Sequence, residues 1–324
     1  MSKRVVLIGH PVAHSLSGQM QQAAFDEVGI DAKYELLDRT VIELPAAIAD
    51  LRNDEFLGAN VTIPHKERAA AMVDRLTEDA QQTGAVNTIT REGKRLVGHN
   101  TDVPAFRKAL DALVGRQKMP RAAVILGAGG GARAVVHALI TEGFQRVVVF
   151  NRHLHRAEGL VRHFGRSAAH MELRAMPWHE SVIEAELSKT KVLINATAVG
   201  LSSDETPIPT ELLPPELLVL DLIYSPRETR LLREAKRADA AATMNGELML
   251  LHQGAAAFEL WTGRQAPMDL MRERLEEAIS DRGGTTAGDA EAPAEAAEPP
   301  EQAAEDQRPA EGVAAGSGST TEPG

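Results

Sequence analysis

No cysteine occurs among the 324 residues. That excludes disulfides, thiolate metal sites and cysteine nucleophiles, and it fits a reducing compartment. Also missing is any apolar run of the ~18 residues that a membrane span needs. Met1-Ser2-Lys3-Arg4, followed by Val5 to Ile8 before Gly9, is too short for a signal peptide, so the expected location is cytoplasmic. An excess of positive charge is absent as well. The formal net charge is −11, but residues 283–324 hold nine acidic side chains and one basic, which leaves −3 for residues 1–282. So balanced a body gives no electrostatic case for nucleic acid. Residues 283–324 have no aromatic side chain and are rich in Pro, Ala, Glu and Gly, so they are expected to form a disordered acidic tail.

What remains is 43% hydrophobic overall and long enough for two domains with cores of their own. Lys3 to Ile8 is predicted as a strand, with a turn at Gly9-His10-Pro11. Ser15-Leu16-Ser17 then precedes a helix through Phe25 and Val28. Two hydroxyls at spacing two after a strand's carboxyl end face the ligand side of an open α/β sheet, though taken alone such a pair more commonly caps a helix. Tyr34–Leu37 is predicted as a strand and Glu43–Leu51 as a helix. Between residues 58 and 67 the alternation puts Val61 and Ile63 on one strand face and Asn60 and Thr62 on the other; Pro64 then suits a helix start. Lys66 stands in that helix's first turn, with the helix expected to run from Glu67 to about Leu76. A helix terminus and burial both disfavour an ammonium, so Lys66 is a candidate for proton transfer; the alternative is a solvated lysine. Residues 84–89 and 95–102 look like two strands around Glu92-Gly93-Lys94, each ending in polar groups, among them Asn87 and Asp102.

The second half opens on Ala122 to Leu126 and then Gly127-Ala128-Gly129-Gly130-Gly131-Ala132, before a helical pattern from Ala134 to Ile140. Strand, G-x-G-x-x-[GA] and helix together form a dinucleotide-binding fingerprint, in which a helix amino terminus and bare backbone approach a pyrophosphate. At the end of the next strand, Arg146–Phe150, an acid would accept from a free ribose 2′-hydroxyl. The chain instead has Asn151-Arg152, with Arg156 beyond, which suits a 2′-phosphate and so NADP. Val192–Thr197 and Leu217–Leu222 are predicted as further buried strands and Leu231–Ala241 as a helix. Helices over Leu248–Trp261 and Asp269–Ile279, with no confident strand after Leu222, are expected to fold back over the first domain.

The motifs Ser15-Leu16-Ser17, Asn60-Val61-Thr62-Ile63-Pro64-His65-Lys66, Ala85-Val86-Asn87-Thr88, Asn100-Thr101-Asp102, the glycine loop, Asn151-Arg152, Asn195-Ala196-Thr197, residues 221–226 and residues 249–255, in this order, resemble the shikimate dehydrogenase family from about Val5 to Arg274. The resemblance implies an α/β fold of two open-sheet domains. One is a substrate and catalytic domain over residues 1–103, completed by helices from about 245–280; the other is a Rossmann-type NADP-binding domain over residues 104–244. It implies reversible NADPH reduction of 3-dehydroshikimate to shikimate, without a metal. Lys66 and Asp102 would be the catalytic pair. Ser15 and Ser17, with Tyr224 nearby, would bind the substrate carboxylate, and Asn60, Thr62, Asn87 and Gln253 its ring hydroxyls. Gly127, Ala128, Gly129, Gly130 and Gly131 would cradle the pyrophosphate. Asn151, Arg152, His153 and Arg156 would meet the 2′-phosphate, and Glu78, Leu222 and Gly246 would lie near the cofactor. Departures from the family pattern are Gly18, His99, Val103, His153 and Asn245-Gly246-Glu247. The alternatives are a quinate or dual-substrate relative using NAD and, from another class, a non-catalytic binding module. A monomer or homodimer is expected, with no membrane or nucleic-acid partner.

Overall fold

The computed structural model describes residues 2–283, so the expected tail, apart from its first residue, lies outside the described residues. The first half of the chain runs β1 (Lys3–Gly9), α1 (Ser17–Val28), β2 (Ala32–Asp38), α2 (Leu44–Asp50), β3 (Phe56–Val61), α3 (Lys66–Ala70), β4 (Arg75–Leu76), α4 (Glu78–Thr83), β5 (Thr88–Glu92) and β6 (Arg95–His99). After α5 (Asp102–Val114) come β7 (Ala122–Leu126), α6 (Gly130–Thr141), β8 (Arg146–Phe150), α7 (Leu154–Phe164), β9 (Glu172–Met176), α8 (Glu180–Leu187), β10 (Val192–Asn195), β11 (Leu218–Asp221), α9 (Arg230–Arg237), β12 (Ala242–Met244), α10 (Glu247–Thr262) and α11 (Met268–Gly283). These strands form two six-stranded sheets.

In the first sheet the order is β2-β1-β3-β5-β6-β4. Val5 to Ile8 of β1 are buried on both faces, which suits a strand with parallel neighbours on either side. The β5–β6 hairpin continues the sheet antiparallel to β3. The second sheet, β12-β11-β10-β7-β8-β9, is parallel throughout. Counted from β7 this is the doubly wound order, and its winding reverses between β7 and β10, where such folds open a ligand crevice at the carboxyl ends.

Helices α10 and α11 return to the first sheet and share a core with β1 and α1. The Phe25 and Phe258 rings lie 5.3 Å apart, and Trp261 Nε1 donates to Ile89 O at 3.0 Å. Burying each such ring contributes about 2–3 kcal/mol, so α10 is held firmly against the sheet that presents Asn60 and Asn87.

Several local expectations are corrected. β3 ends at Val61, and Ile63 is 61% exposed rather than sharing Val61's buried face. Pro64 follows a cis peptide bond, and the helix starts at Lys66, one residue before the expected Glu67. That helix stops at Ala70, far short of Leu76, because Asp74 exchanges backbone and side-chain hydrogen bonds with Leu96 and draws the chain into β4 beside β6. Helix α9 ends at Arg237, four residues early, where Asp239 adopts a positive φ and Ala240 N closes on Ala235 O. A strand, β12, does follow Leu222, pairing with β11.

Candidate active site

A cavity of about 290 Å³ opens between the two sheets, near the lower end of the range for small-molecule sites. All nine residues expected to act on substrate line it: Ser15, Ser17, Asn60, Thr62, Lys66, Asn87, Asp102, Tyr224 and Gln253. They come from α1, β3, α3, α5, α10 and the segments after β1, after β3, before β5 and after β11, so only the tertiary fold brings them together.

At its base Lys66 Nζ donates to Asp102 Oδ2 at 2.7 Å, with the two side chains 16% and 5% exposed. The other carboxylate oxygen, Oδ1, accepts from Asn87 Nδ2 at 2.9 Å. Asn87 is fixed in turn: Nδ2 also donates to Thr101 Oγ1 (2.8 Å), and Oδ1 accepts from Thr101 N (2.8 Å). A buried network with its donors and acceptors paired has one low-energy arrangement, so Lys66 is aimed before any ligand arrives. Asn60 has both amide hydrogens engaged, to Asn87 O (3.1 Å) and Thr88 Oγ1 (3.0 Å), while its Oδ1 accepts from Tyr34 Oη (2.8 Å). Toward a ligand hydroxyl Asn60 therefore offers a lone pair, not a donor.

Ser15 and Ser17 adjoin one another, with Ser17 N donating to Ser15 Oγ at 3.2 Å. The only two tyrosines of the chain border them. Burial raises the pKa of Tyr34, partly offset by the Ser17 hydroxyl, and burial likewise raises that of Tyr224, which meets Ser15. Both phenols thus stay protonated as donors. Tyr34, Thr88, Asn100 and Thr101 were not foreseen as supporting groups. Thr88, Asn100 and Thr101 stand inside recognised motifs, but a lone tyrosine on a predicted strand gives no local signal.

The expected cofactor residues divide into two groups. Gly129, Gly130, Gly131, Leu222 and Gly246 line the same cavity as Lys66. Gly127 and Ala128 lie buried at the end of β7, where Gly127 has φ +105° and a Cβ would stand 2.7 Å from Ala196 O, so only glycine fits. A Cβ on Gly130 would come within 2.9 Å of Lys66 Cβ, so the loop lies directly on the lysine stem. Nothing lies within 4 Å of the corresponding point on Gly129, and no side chain caps α6, which leaves backbone N–H groups for a phosphate. The loop fits a dinucleotide. Glu78, by contrast, is exposed in α4 and does not line the cavity. Arg152, His153 and Arg156 are exposed beyond β8, outside the cavity lining, and half-buried Asn151 donates Nδ2 to His153 O at 2.9 Å.

Three family models match in chain order: the shikimate dehydrogenase substrate binding domain over residues 7–89, shikimate / quinate 5-dehydrogenase over 112–208, and the shikimate 5'-dehydrogenase C-terminal domain over 246–276. A protein named shikimate dehydrogenase (NADP(+)) from Symbiobacterium thermophilum is 43% identical over 269 residues, covering 82% of this chain and 91% of that one. The chain belongs to the shikimate dehydrogenase family. Among solved structures, shikimate 5-dehydrogenase from Thermus thermophilus in complex with NADP(H) and shikimate matches with a TM-score of 0.73 and 40% identity, over 85% of this chain and 99% of that one. Quinate dehydrogenase from Corynebacterium glutamicum in complex with NAD matches with a TM-score of 0.74 at 29% identity, over 85% and 99%. The fold is therefore shared across the family's substrates and cofactors, and specificity must lie in side chains.

Among the described residues no helix is long and apolar enough to cross a membrane.

Proposed function

We propose that the chain is an NADP-dependent shikimate dehydrogenase, reducing 3-dehydroshikimate reversibly to shikimate on the way to aromatic amino acids. One observation carries this: the Lys66–Asp102 pair, 2.7 Å apart and largely buried, faces the cavity while the Lys66 stem touches the dinucleotide loop at Gly130. Proton donor and cofactor loop thus meet at one place, as a carbonyl reduction requires.

When bound, the nicotinamide cofactor supplies or takes the hydride. Lys66 handles the proton: as an ammonium it donates to the alkoxide oxygen forming in reduction, and as an amine it accepts in oxidation. Asp102 holds Nζ through Oδ2 and is itself oriented by Asn87. Ser15, Ser17 and Tyr224 bind the substrate carboxylate through hydroxyls, while Asn60, Thr62 and Gln253 receive the ring hydroxyls. Gly127 to Gly131 cradle the pyrophosphate at the start of α6. Asn151, Arg152, His153 and Arg156 meet the 2′-phosphate, and Leu222 and Gly246, which line the cavity, lie near the cofactor. Residues 1–103 with 245–280 act as the substrate domain and residues 104–244 as the cofactor domain, in a cytoplasmic monomer or homodimer.

The test is steady-state oxidation of shikimate and of quinate, each with NADP and with NAD. Efficient turnover only of shikimate with NADP is expected. Preference for quinate with NAD would assign the chain to the other branch of the family, and tight cofactor binding without turnover would make it a binding module.

A further inference from the structure

Beside the cavity, α6 and α7 meet α3 and α4 along a polar seam. Arg133, in the first turn of α6, spans it: Nη1 donates to Thr83 O at 3.0 Å, and Nη2 lies 3.0 Å from Glu67 Oε2. Glu67 directly follows Lys66. One turn further along α6, His137 Nε2 lies 3.4 Å from Asp79 Oδ1, and on α7 His163 Nε2 lies 2.8 Å from Gln82 O. The Arg133 side chain is 14% exposed, yet its Nε is buried without a hydrogen-bond partner. An unpaired buried donor costs free energy, and an apolar side chain of similar volume would seal the seam without that cost. What the guanidinium adds is a rigid fork, which sets the separation of the two groups it grips.

The grip falls at a telling place. Gly130 and Arg133 are three residues apart on α6 and so share a face. Gly130 packs against the stem of Lys66, and Arg133 pairs with the carboxylate of the next residue. Two contacts on one face fix both the height and the rotation of α6 relative to Lys66.

We infer that Arg133 is a positioning residue for hydride transfer: by tying the first turn of α6 to Glu67 and Thr83, it holds the cofactor-binding helix at a set offset from Lys66 Nζ. The inference rests on the dehydrogenase reading above. Hydride transfer is steep in distance and angle, and displacement of a reacting group by about 1 Å can cost roughly 100-fold in rate. A loosened seam therefore registers in the chemical step before it registers in binding.

The experiment compares the parent with Arg133→Met, Arg133→Lys and Glu67→Gln, using shikimate and shikimate deuterated at the carbon being oxidised. Arg133→Met is expected to lower kcat by about tenfold or more and to enlarge the isotope effect on kcat, with KM for shikimate within a few-fold of parental. Arg133→Lys restores part of the rate, and Glu67→Gln shifts both quantities in the same direction by less. A loss of melting temperature alone, with parental kcat and isotope effect, overturns the inference. So does a rise confined to KM for NADP, which would make Arg133 a cofactor ligand. Should Arg133→Met fail to fold, Glu67→Gln decides, and parental values there are equally fatal. Absence of shikimate oxidation by the parent removes the dehydrogenase reading and this inference together; parental behaviour of the variants in an active enzyme removes the inference alone.

Discussion

At the Lys66 end of the cleft, the polar side chains are buried and bonded to one another: Lys66 to Asp102, Asp102 to Asn87, Asn87 to Thr101, Asn60 to Tyr34. At the Asn151 end, Arg152, His153 and Arg156 stand exposed around the start of α7, where Asn151 Nδ2 donates to His153 O and the His153 and His155 rings lie 5.9 Å apart. The first arrangement is fixed before ligand binds, so its binding energy is available for aligning the reaction. The second supplies charge in water, where each contact is weaker and more easily screened. A rigid, buried chemical end thus contrasts with an exposed, positively charged one.

The largest expected effect attacks the rigid end. Lys66→Ala is expected to lower kcat by roughly 100-fold or more while leaving KM for shikimate within a few-fold, since proton transfer belongs to the transition state. Near-parental kcat in this variant would break the contrast at its strongest point.

Next comes the exposed end. Two charge-assisted hydrogen bonds from Arg152 and Arg156 to a 2′-phosphate are worth on the order of 2–3 kcal/mol, or roughly 30- to 150-fold in efficiency. Arg152→Ala with Arg156→Ala should therefore raise KM for NADP strongly and leave KM for NAD within a few-fold. An unchanged NADP constant would mean that these side chains do not meet the cofactor.

A smaller effect probes whether the cofactor sheet is also prebuilt inside. Asp221, at the end of β11 beneath Leu222, is fully buried, and burial pushes its carboxyl up to about 6 despite hydrogen bonds from Thr229, Ile223 and Asn195. A carboxyl that titrates higher folded than unfolded binds more protons in the folded state, so its contribution is present below about pH 4 and is lost as pH rises through about 6. Across that window the parent should lose on the order of 2 kcal/mol of stability from this group. Asp221→Asn should remove that slope in denaturant titrations at pH 4, 5, 6 and 7. A variant with the parental slope would place the titration elsewhere.

How far each end was legible follows from the same contrast. Lys66, Asp102 and Asn87 stand in short motifs whose polar residues interrupt apolar strands, so the sequence itself marks them as out of place in a plain core. The β7–glycine–α6 unit was legible for a similar reason, since its strand, turn and helix are contiguous. Tyr34 and Arg133 carried no such mark, because their partners Asn60 and Glu67 lie far off along the chain and only the tertiary fold joins them. β4 and β12, two and three residues long and not fully buried, lack the apolar run that announces a strand, and so the helical pattern before each runs on past the helix's actual end. Helix α4 gives no apolar periodicity in the sequence, and it carries Glu78 exposed and outside the cavity lining.

The contrast is tested most directly by the ionic-strength dependence of two Michaelis constants in the parental enzyme, measured side by side from 50 to 500 mM KCl. Screening should weaken the exposed arginine contacts far more than the buried network, so KM for NADP should rise by roughly three- to tenfold while KM for shikimate stays within about twofold. Equal rises in the two constants, or a larger one for shikimate, would contradict a cleft that is prebuilt at its chemical end and electrostatic at the other.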